Sequence, residues 1–303
     1  KLALGLRDVS TRMLRFTRQM GVEWVQIPAS MVTEPATWPL VPPTDHGPRS
    51  GAAFRPWKLE TLQAIKSRVE SHGLKVGLIH LAGFHRITHG LAGWERELEA
   101  VKQSIRAAGK AGIPVVEYGF RALRPSEGYG TTTGRGGAQL RDFDYDRIKG
   151  KPPLENVGRH TRDQVWERLE RFLKAVVPVA EEAGVRLAIH PDDPPVEEFR
   201  GVELAVIKLE DLRRLVRVVN SPANGITLDT GVMTEIGADA IEVIREFGQM
   251  RRINHVHFRN VRVHTPVYRY TETFHDEGDC DMAGAMLAFA ETGYDGNLIP
   301  DHT

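Results

Sequence analysis

The chain has 303 residues, 40 basic against 40 acidic, and a single cysteine. Balanced charge excludes the basic excess of a nucleic-acid surface or an anionic-membrane patch. One cysteine excludes a disulfide framework and a cysteine-rich zinc site, and no apolar run approaches the roughly 18 residues of a membrane span.

The opening KLALGLRDVS reads as a strand and a turn, without the long apolar segment of a signal peptide. The expected setting is the reducing cytoplasm, and the length suits a large α/β domain. From there one unit recurs: a helix-like segment ends at a glycine, and a short apolar run follows. It appears as QMGVEWVQI, SHGLKVGLI, KAGIPVVEY and EAGVRLAIH, and more weakly as PANGITLD and TGYDGNLIP. Glycine suits the left-handed turn that ends a helix. The apolar run suits a strand buried on both faces of a parallel sheet.

Eight strands are predicted, near Leu2–Leu6, Val22–Ile27, Lys75–Ile79, Val115–Tyr118, Arg186–Ile189, Gly225–Leu228, Asn254–His257 and Asn297–Ile299. Seven helical segments separate them. The clearest is Arg162–Ala183, opened by Thr161 and Gln164 at capping-box spacing. Val165, Leu169, Phe172, Val176 and Ala180 share one of its faces. The pattern predicts a (β/α)₈ TIM barrel as a single domain over 1–303, with a doubly wound open sheet as the rival. Long loops leave the strands at 28–56, 121–160 and 259–281. In a barrel these lie on the C-terminal face, where active sites sit. The 121–160 segment reads as a lid or partner-contacting insertion, or else as a disordered surface loop. No helix follows the eighth strand, so the closing helix is expected to be missing from this chain.

Chemistry gathers at the strand ends. The fifth strand delivers His190, then Asp192 and Asp193; the sixth Asp229; the seventh His257, then Arg259 and Asn260; the eighth Asp301 and His302. In a barrel these ends converge. Two imidazoles and two carboxylates suit a divalent cation of intermediate hardness, Mn²⁺ first, with Fe²⁺ or Co²⁺ as alternatives. Asp192 and Asp193 then orient ligands or substrate hydroxyls. His255 shares a strand face with His257 but lies lower in the barrel. Glu117 is a further ligand candidate. His80, His85 and His89 follow the third strand within reach. Arg7, Arg121, Arg124 and Arg259 are candidates to pair with a substrate carboxylate. Cys280 reads as structural.

At these residues the chain resembles the mannonate dehydratase family, a set of metal-dependent barrels related to xylose isomerase. LAIHPDDPP, DLRRLVRVVNSPANGITLDTG, HVHFRNV, FHDEGDCDM and GYDGNLIPDHT carry the resemblance, with AVKQSIRAAGKAGIPVVEYGF around the fourth strand. It spans roughly residues 57 to 303, most strongly after Val185. It implies a Mn²⁺-type metal at His190, Asp229, His257 and Asp301, and proton transfer by His302. It implies a substrate contact at Tyr118 and a lid position for His275, which join Arg259, His85 and Asp192 of the strand ends as the substrate-binding candidates. The implied reaction removes water from D-mannonate, or a related aldonic acid, to give a 2-keto-3-deoxy acid.

Three departures stand out. The family has cysteine where this chain has Asp229, and carboxylate in place of thiolate favours Mn²⁺ or Mg²⁺. GLRDVS replaces an aromatic-rich first-strand motif. A tyrosine expected downstream of the PDH motif lies beyond Thr303. The alternative function is a metal-dependent sugar isomerase or epimerase on the same barrel, and a third is a ligand-binding barrel without catalysis. Expected partners are a small sugar acid and a second copy of the chain, as a homodimer or higher homo-oligomer, with no nucleic acid and no membrane.

Overall fold

A computed structural model describes residues 1–33 and 54–301. Most of the expected 28–56 loop, and His302, lie outside the described residues.

The strands in chain order are β1 (Ala3–Gly5), β2 (Trp24–Ile27), β3 (Lys75–Leu81), β4 (Val115–Tyr118), β5 (Tyr129–Thr133), β6 (Gln139–Asp144) and β7 (Arg186–Ile189). They continue with β8 (Glu198–Phe199), β9 (Val202–Glu203), β10 (Asn224–Asp229), β11 (Ile253–His257), β12 (Asn260–Thr265), β13 (Arg269–Thr273) and β14 (Leu298–Ile299). Eight of them form one parallel sheet in the order β1-β2-β3-β4-β7-β10-β11-β14. Its two ends meet at a parallel Leu2–Leu298 bridge, where Leu298 N donates to Lys1 O at 2.8 Å. That closure makes the sheet a barrel and removes the open-sheet rival.

The glycine punctuation holds at Gly21, Gly73, Gly112, Gly184 and Gly293, which all carry positive φ, but Gly225 of PANGITLD lies inside β10 and ends no helix. The capping box at Thr161 and Gln164 is formed. Ten α-helices stand among the described residues, more than the seven segments expected, because short helices such as His85–His89 and Thr230–Glu235 lie in the loops above the barrel. His85 and His89 are therefore helical, and β3 runs on to include His80.

Strand alternation sorts the side chains. Val116, Tyr118, Leu187, Ile189, Ile226, Leu228 and Val256 belong to the main core. It packs the barrel against its helices. Ala3, Leu78, Val115, Ala188 and Ile299 form a separate small cluster. These are the inward positions at the base of the barrel. One layer up, the inward positions turn polar: Glu117 on β4, Thr227 on β10 and His255 on β11, all buried.

The 121–160 and 259–281 segments are one structure. The antiparallel sheet β12-β13-β6-β5 joins a hairpin from each, with Arg269, Tyr270 and Thr271 opposite Asp144, Phe143 and Asp142. Phe143, Tyr270, Val261, Leu123, Val196 and Phe199 give this cap a core of its own. The surface-loop reading of 121–160 is thus replaced by an ordered cap. No helix of the described residues is long and apolar enough to cross a membrane.

Candidate metal centre

Parallel register brings the strand ends together. Asp229 is paired with His257 across β10 and β11, and His257 with Ile299 of β14, two residues before Asp301. On the other side of β10, Glu117 and Tyr118 of β4 pair with Ala188 and Ile189 of β7, so His190 emerges beside them.

Three donor atoms converge there, from His190, Asp229 and His257, and Asp301 stands beside His257. His190 Nε2 lies 3.1 Å from His257 Nδ1 and 3.4 Å from Asp229 Oδ2. His257 Nδ1 lies 3.8 Å from Asp229 Oδ2 and 3.4 Å from Asp301 Oδ2. Donors bound to one ion at about 2.1 Å stand roughly 3.0–3.5 Å apart, so the spacing fits a single small divalent cation. His190, Asp229 and His257 together have the disposition of a metal-binding triad.

The surroundings fix which atom each side chain turns toward this centre. His190 Nδ1 sits 2.6 Å from the Pro191 carbonyl, which can only accept. Nδ1 therefore carries the proton and Nε2 is free to bind a cation. His257 Nε2 lies 3.1 Å from Glu117 Oε1, which turns Nδ1 toward the centre. Glu117 is held in turn by Thr227 Oγ1 at 3.1 Å and Gln26 Nε2 at 2.5 Å. Burial alone would raise the Glu117 carboxyl, but His257 outweighs it and keeps it well below the usual carboxylate range. Burial likewise disfavours a charged His257, while Asp301 and Glu117 raise its pKa well above the ordinary histidine value. His255, one layer lower, is edge-on to His257 at 5.1 Å between ring centroids. Burial lowers it to about 3, so it stays neutral.

Asp229 has both oxygens engaged. Oδ1 accepts from Val232 N at 2.9 Å, capping the helix Thr230–Glu235. Oδ2 accepts from Arg259 Nε at 3.0 Å. Against its burial, Arg259 and His190 hold the carboxyl below its ordinary range.

The remaining candidates fall in different places. Arg259 is wholly buried and donates to Asp229, Glu235 and Asp193, so its guanidinium is already neutralised by the protein. Tyr118 is wholly buried on the helix-facing side of β4, packed on Phe84 and Phe172, while Glu117 takes the inward position. Asp192 accepts from Val206 N at 3.0 Å and lies 3.5 Å from Arg121 Nη1. It braces its own loop, and its neighbour Asp193 is the one that reaches Arg259. His275 is hydrogen-bonded through Nε2 to the Phe258 carbonyl at 2.7 Å, and His85 opens its short helix above β3. Cys280 is bound through its backbone to Asn260, and burial pushes its thiol up to about 11, as a structural cysteine requires.

Sequence reasoning overlooked Glu235, Glu272 and Gln26. Glu235 ends the helix that Asp229 caps, and Glu272 sits on β13 beside Arg141 and near Arg259. Only Gln26 had a signal, an inward position on a strand.

A family model described as D-mannonate dehydratase matches residues 138–303. The mannonate dehydratase of Thermotoga neapolitana is 34% identical over 283 residues, covering 81% of this chain and 78% of that protein. The chain belongs to the mannonate dehydratase family. It is accordingly a hydro-lyase that dehydrates a sugar acid. The crystal structure of mannonate dehydratase from Streptococcus suis serotype 2 superposes with a TM-score of 0.82 at 27% identity, covering 100% of this chain and 83% of that one. A D-psicose 3-epimerase, at 12% identity and a TM-score of 0.61 over 99% of this chain and 83% of its own, shares the fold.

Proposed function

We propose that this family member converts D-mannonate, or a close aldonic acid, into its 2-keto-3-deoxy acid, using Mn²⁺ held by His190, Asp229, His257 and Asp301. The observation that carries the reading is the convergence of His190 Nε2, His257 Nδ1 and Asp229 Oδ2 at the C-terminal mouth of the barrel, with Asp301 Oδ2 3.4 Å from His257 Nδ1 as the neighbouring fourth donor. Nitrogen and carboxylate donors without sulfur favour Mn²⁺, with Mg²⁺, Fe²⁺ or Co²⁺ as substitutes. The cation supplies Lewis acidity, which makes the proton beside the substrate carboxylate easier to remove.

The chain's own groups do the rest. Glu117 and the Pro191 carbonyl orient the two imidazoles. His302, next to Asp301, moves the proton. His85, Asp192 and His275 contribute from the loops above the barrel. Arg7 and Arg124 are exposed, and neither has a carboxylate partner among the described residues. They suit the substrate carboxylate better than Arg259, whose fork is filled. The cytoplasm suits an inert lone thiol. A homodimer or higher homo-oligomer completes the proposal, although the two insertions already cover each other in the cap, and sedimentation would test it.

The direct test loads metal-stripped full chain with Mn²⁺ and follows an aldonic-acid panel by NMR. Keto-acid formation from D-mannonate supports the proposal. Epimer or aldose–ketose exchange without keto acid would replace it with the isomerase reading.

A further inference from the structure

We infer that Arg259 is a positioning residue, which holds the Asp229 carboxylate in its ligating orientation and fastens it to the cap sheet. The inference rests on the proposed role of Asp229 as a cation ligand.

Three observations carry it. First, each arm of the fork has its own acceptor: Nε donates to Asp229 Oδ2 at 3.0 Å, Nη1 to Glu235 Oε1 at 2.9 Å and Nη2 to Asp193 Oδ2 at 3.0 Å. A planar guanidinium with three directed bonds sets orientation as well as charge. Second, the backbone is shaped around it. A Cβ at Gly231 would stand 2.8 Å from Arg259 Cζ and Nη1, so the helix that follows Asp229 makes room for the guanidinium. Thr230 Oγ1 accepts from Arg259 N at 3.1 Å and donates to Arg259 O at 2.6 Å. Third, the far side of the fork leads into the cap. Asp193 Oδ1 accepts from Tyr270 of β13 at 2.9 Å and Tyr129 of β5 at 3.3 Å. Glu272, 4.0 Å from Arg259 Nη1, accepts from Arg141 Nε of β6 at 2.8 Å.

Electrostatics alone argues against a cation here. A positive guanidinium beside a ligand oxygen repels the dication and draws charge from its donor. The side chain therefore lowers cation affinity by its charge and raises it by its geometry. The two effects have opposite signs on removal, which makes the inference testable.

The experiment titrates metal-stripped protein with Mn²⁺ and reads free Mn²⁺ by electron paramagnetic resonance. Arg259→Lys keeps the charge and loses the fork; Arg259→Gln loses both. Both are expected to weaken Mn²⁺ binding about tenfold or more, the scale of losing a group that orients a ligand. The double variant Arg141→Met with Tyr270→Phe touches no ligand and is expected to weaken binding several-fold through Glu272 and Asp193. Unchanged affinity in Arg259→Lys with tighter binding in Arg259→Gln would mean charge balance only and overturn the inference. Where the Arg259 variants fail to fold, unchanged binding in the double variant overturns it instead. A parent chain that binds no Mn²⁺, or whose binding survives Asp229→Asn, removes the ligand assignment itself, which is a different failure.

Discussion

Asp229→Asn is the sharpest perturbation of the proposed centre. The side chain is wholly buried, with Oδ1 on Val232 N at 2.9 Å and Oδ2 on Arg259 Nε at 3.0 Å. Removing one member of a buried ion pair costs about 3–5 kcal/mol. Asparagine keeps an oxygen for the helix cap, worth about 1 kcal/mol. Arg259 also keeps Asp193 and Glu235 as partners. The metal-free fold is therefore expected to lose only about 2–3 kcal/mol. Cation binding suffers more directly, because a neutral amide replaces an anionic donor. The loss should exceed the 10–100-fold, or about 1.4–2.8 kcal/mol, that follows removal of an outer partner. Calorimetric titration of metal-stripped protein with Mn²⁺ gives the affinity. A thermal melt gives an independent reading: Mn²⁺ at about a hundred times Kd adds about 2.7 kcal/mol, or roughly 4 °C for a chain of this size. The variant should lose most of that rise. An affinity within about threefold of the parent, less than 1 kcal/mol, would refute the ligand assignment. Asp229→Cys, which restores the donor that the family resemblance implies, should shift preference from Mn²⁺ toward Zn²⁺, since thiolate is the softer donor.

Glu117→Gln removes the charge facing His257 Nε2 at 3.1 Å and should weaken Mn²⁺ binding about 10–100-fold; an unchanged titration would leave Glu117 as a core residue only. Tyr118→Phe deletes a buried hydroxyl that has no hydrogen-bond partner among the described residues, so stability should hold or rise by up to about 1 kcal/mol with KM unchanged. A raised KM would instead make Tyr118 a substrate contact. Phe143→Ala opens the cap core between Tyr129 and Tyr270 and should cost about 3–5 kcal/mol there, seen as faster amide exchange across 128–148. Uniform exchange over the whole chain would mean that cap and barrel unfold as one unit.

The barrel was legible because its signals are local. A glycine with positive φ followed by an apolar run marks most of the helix-to-strand turns, as at Gly73, Gly112 and Gly184. The metal candidates followed from position, since a parallel sheet puts every strand's last residues on one rim, and β7, β10, β11 and β14 are neighbours in the ring. The cap was harder because its pairing is long-range: Phe143 lies opposite Tyr270, across two insertions that share no sequence signal. Part of it was nevertheless readable. NVRVHT and RYTET alternate around a proline-containing turn, the pattern of a hairpin, and Val261 and Tyr270 are among the residues it buries.

Arg259 shows where strand-end reasoning stops. The sequence placed an arginine after the seventh strand, and a substrate carboxylate was a fair partner for it. Folding supplies that arginine with three carboxylates from separate loops and helices before any substrate arrives. A wholly buried guanidinium needs such compensation, because its charge cannot be left unpaired away from water. Burial also raises Glu235 well above the usual carboxylate range, with Asp193, Asp229 and Glu272 adding to the effect against Arg259. The compensation is spread over two parts of the fold: Asp229 at the rim takes Nε, while Glu235 and Asp193 take the two Nη atoms, and Asp193 passes the contact on to Tyr270 of the cap sheet.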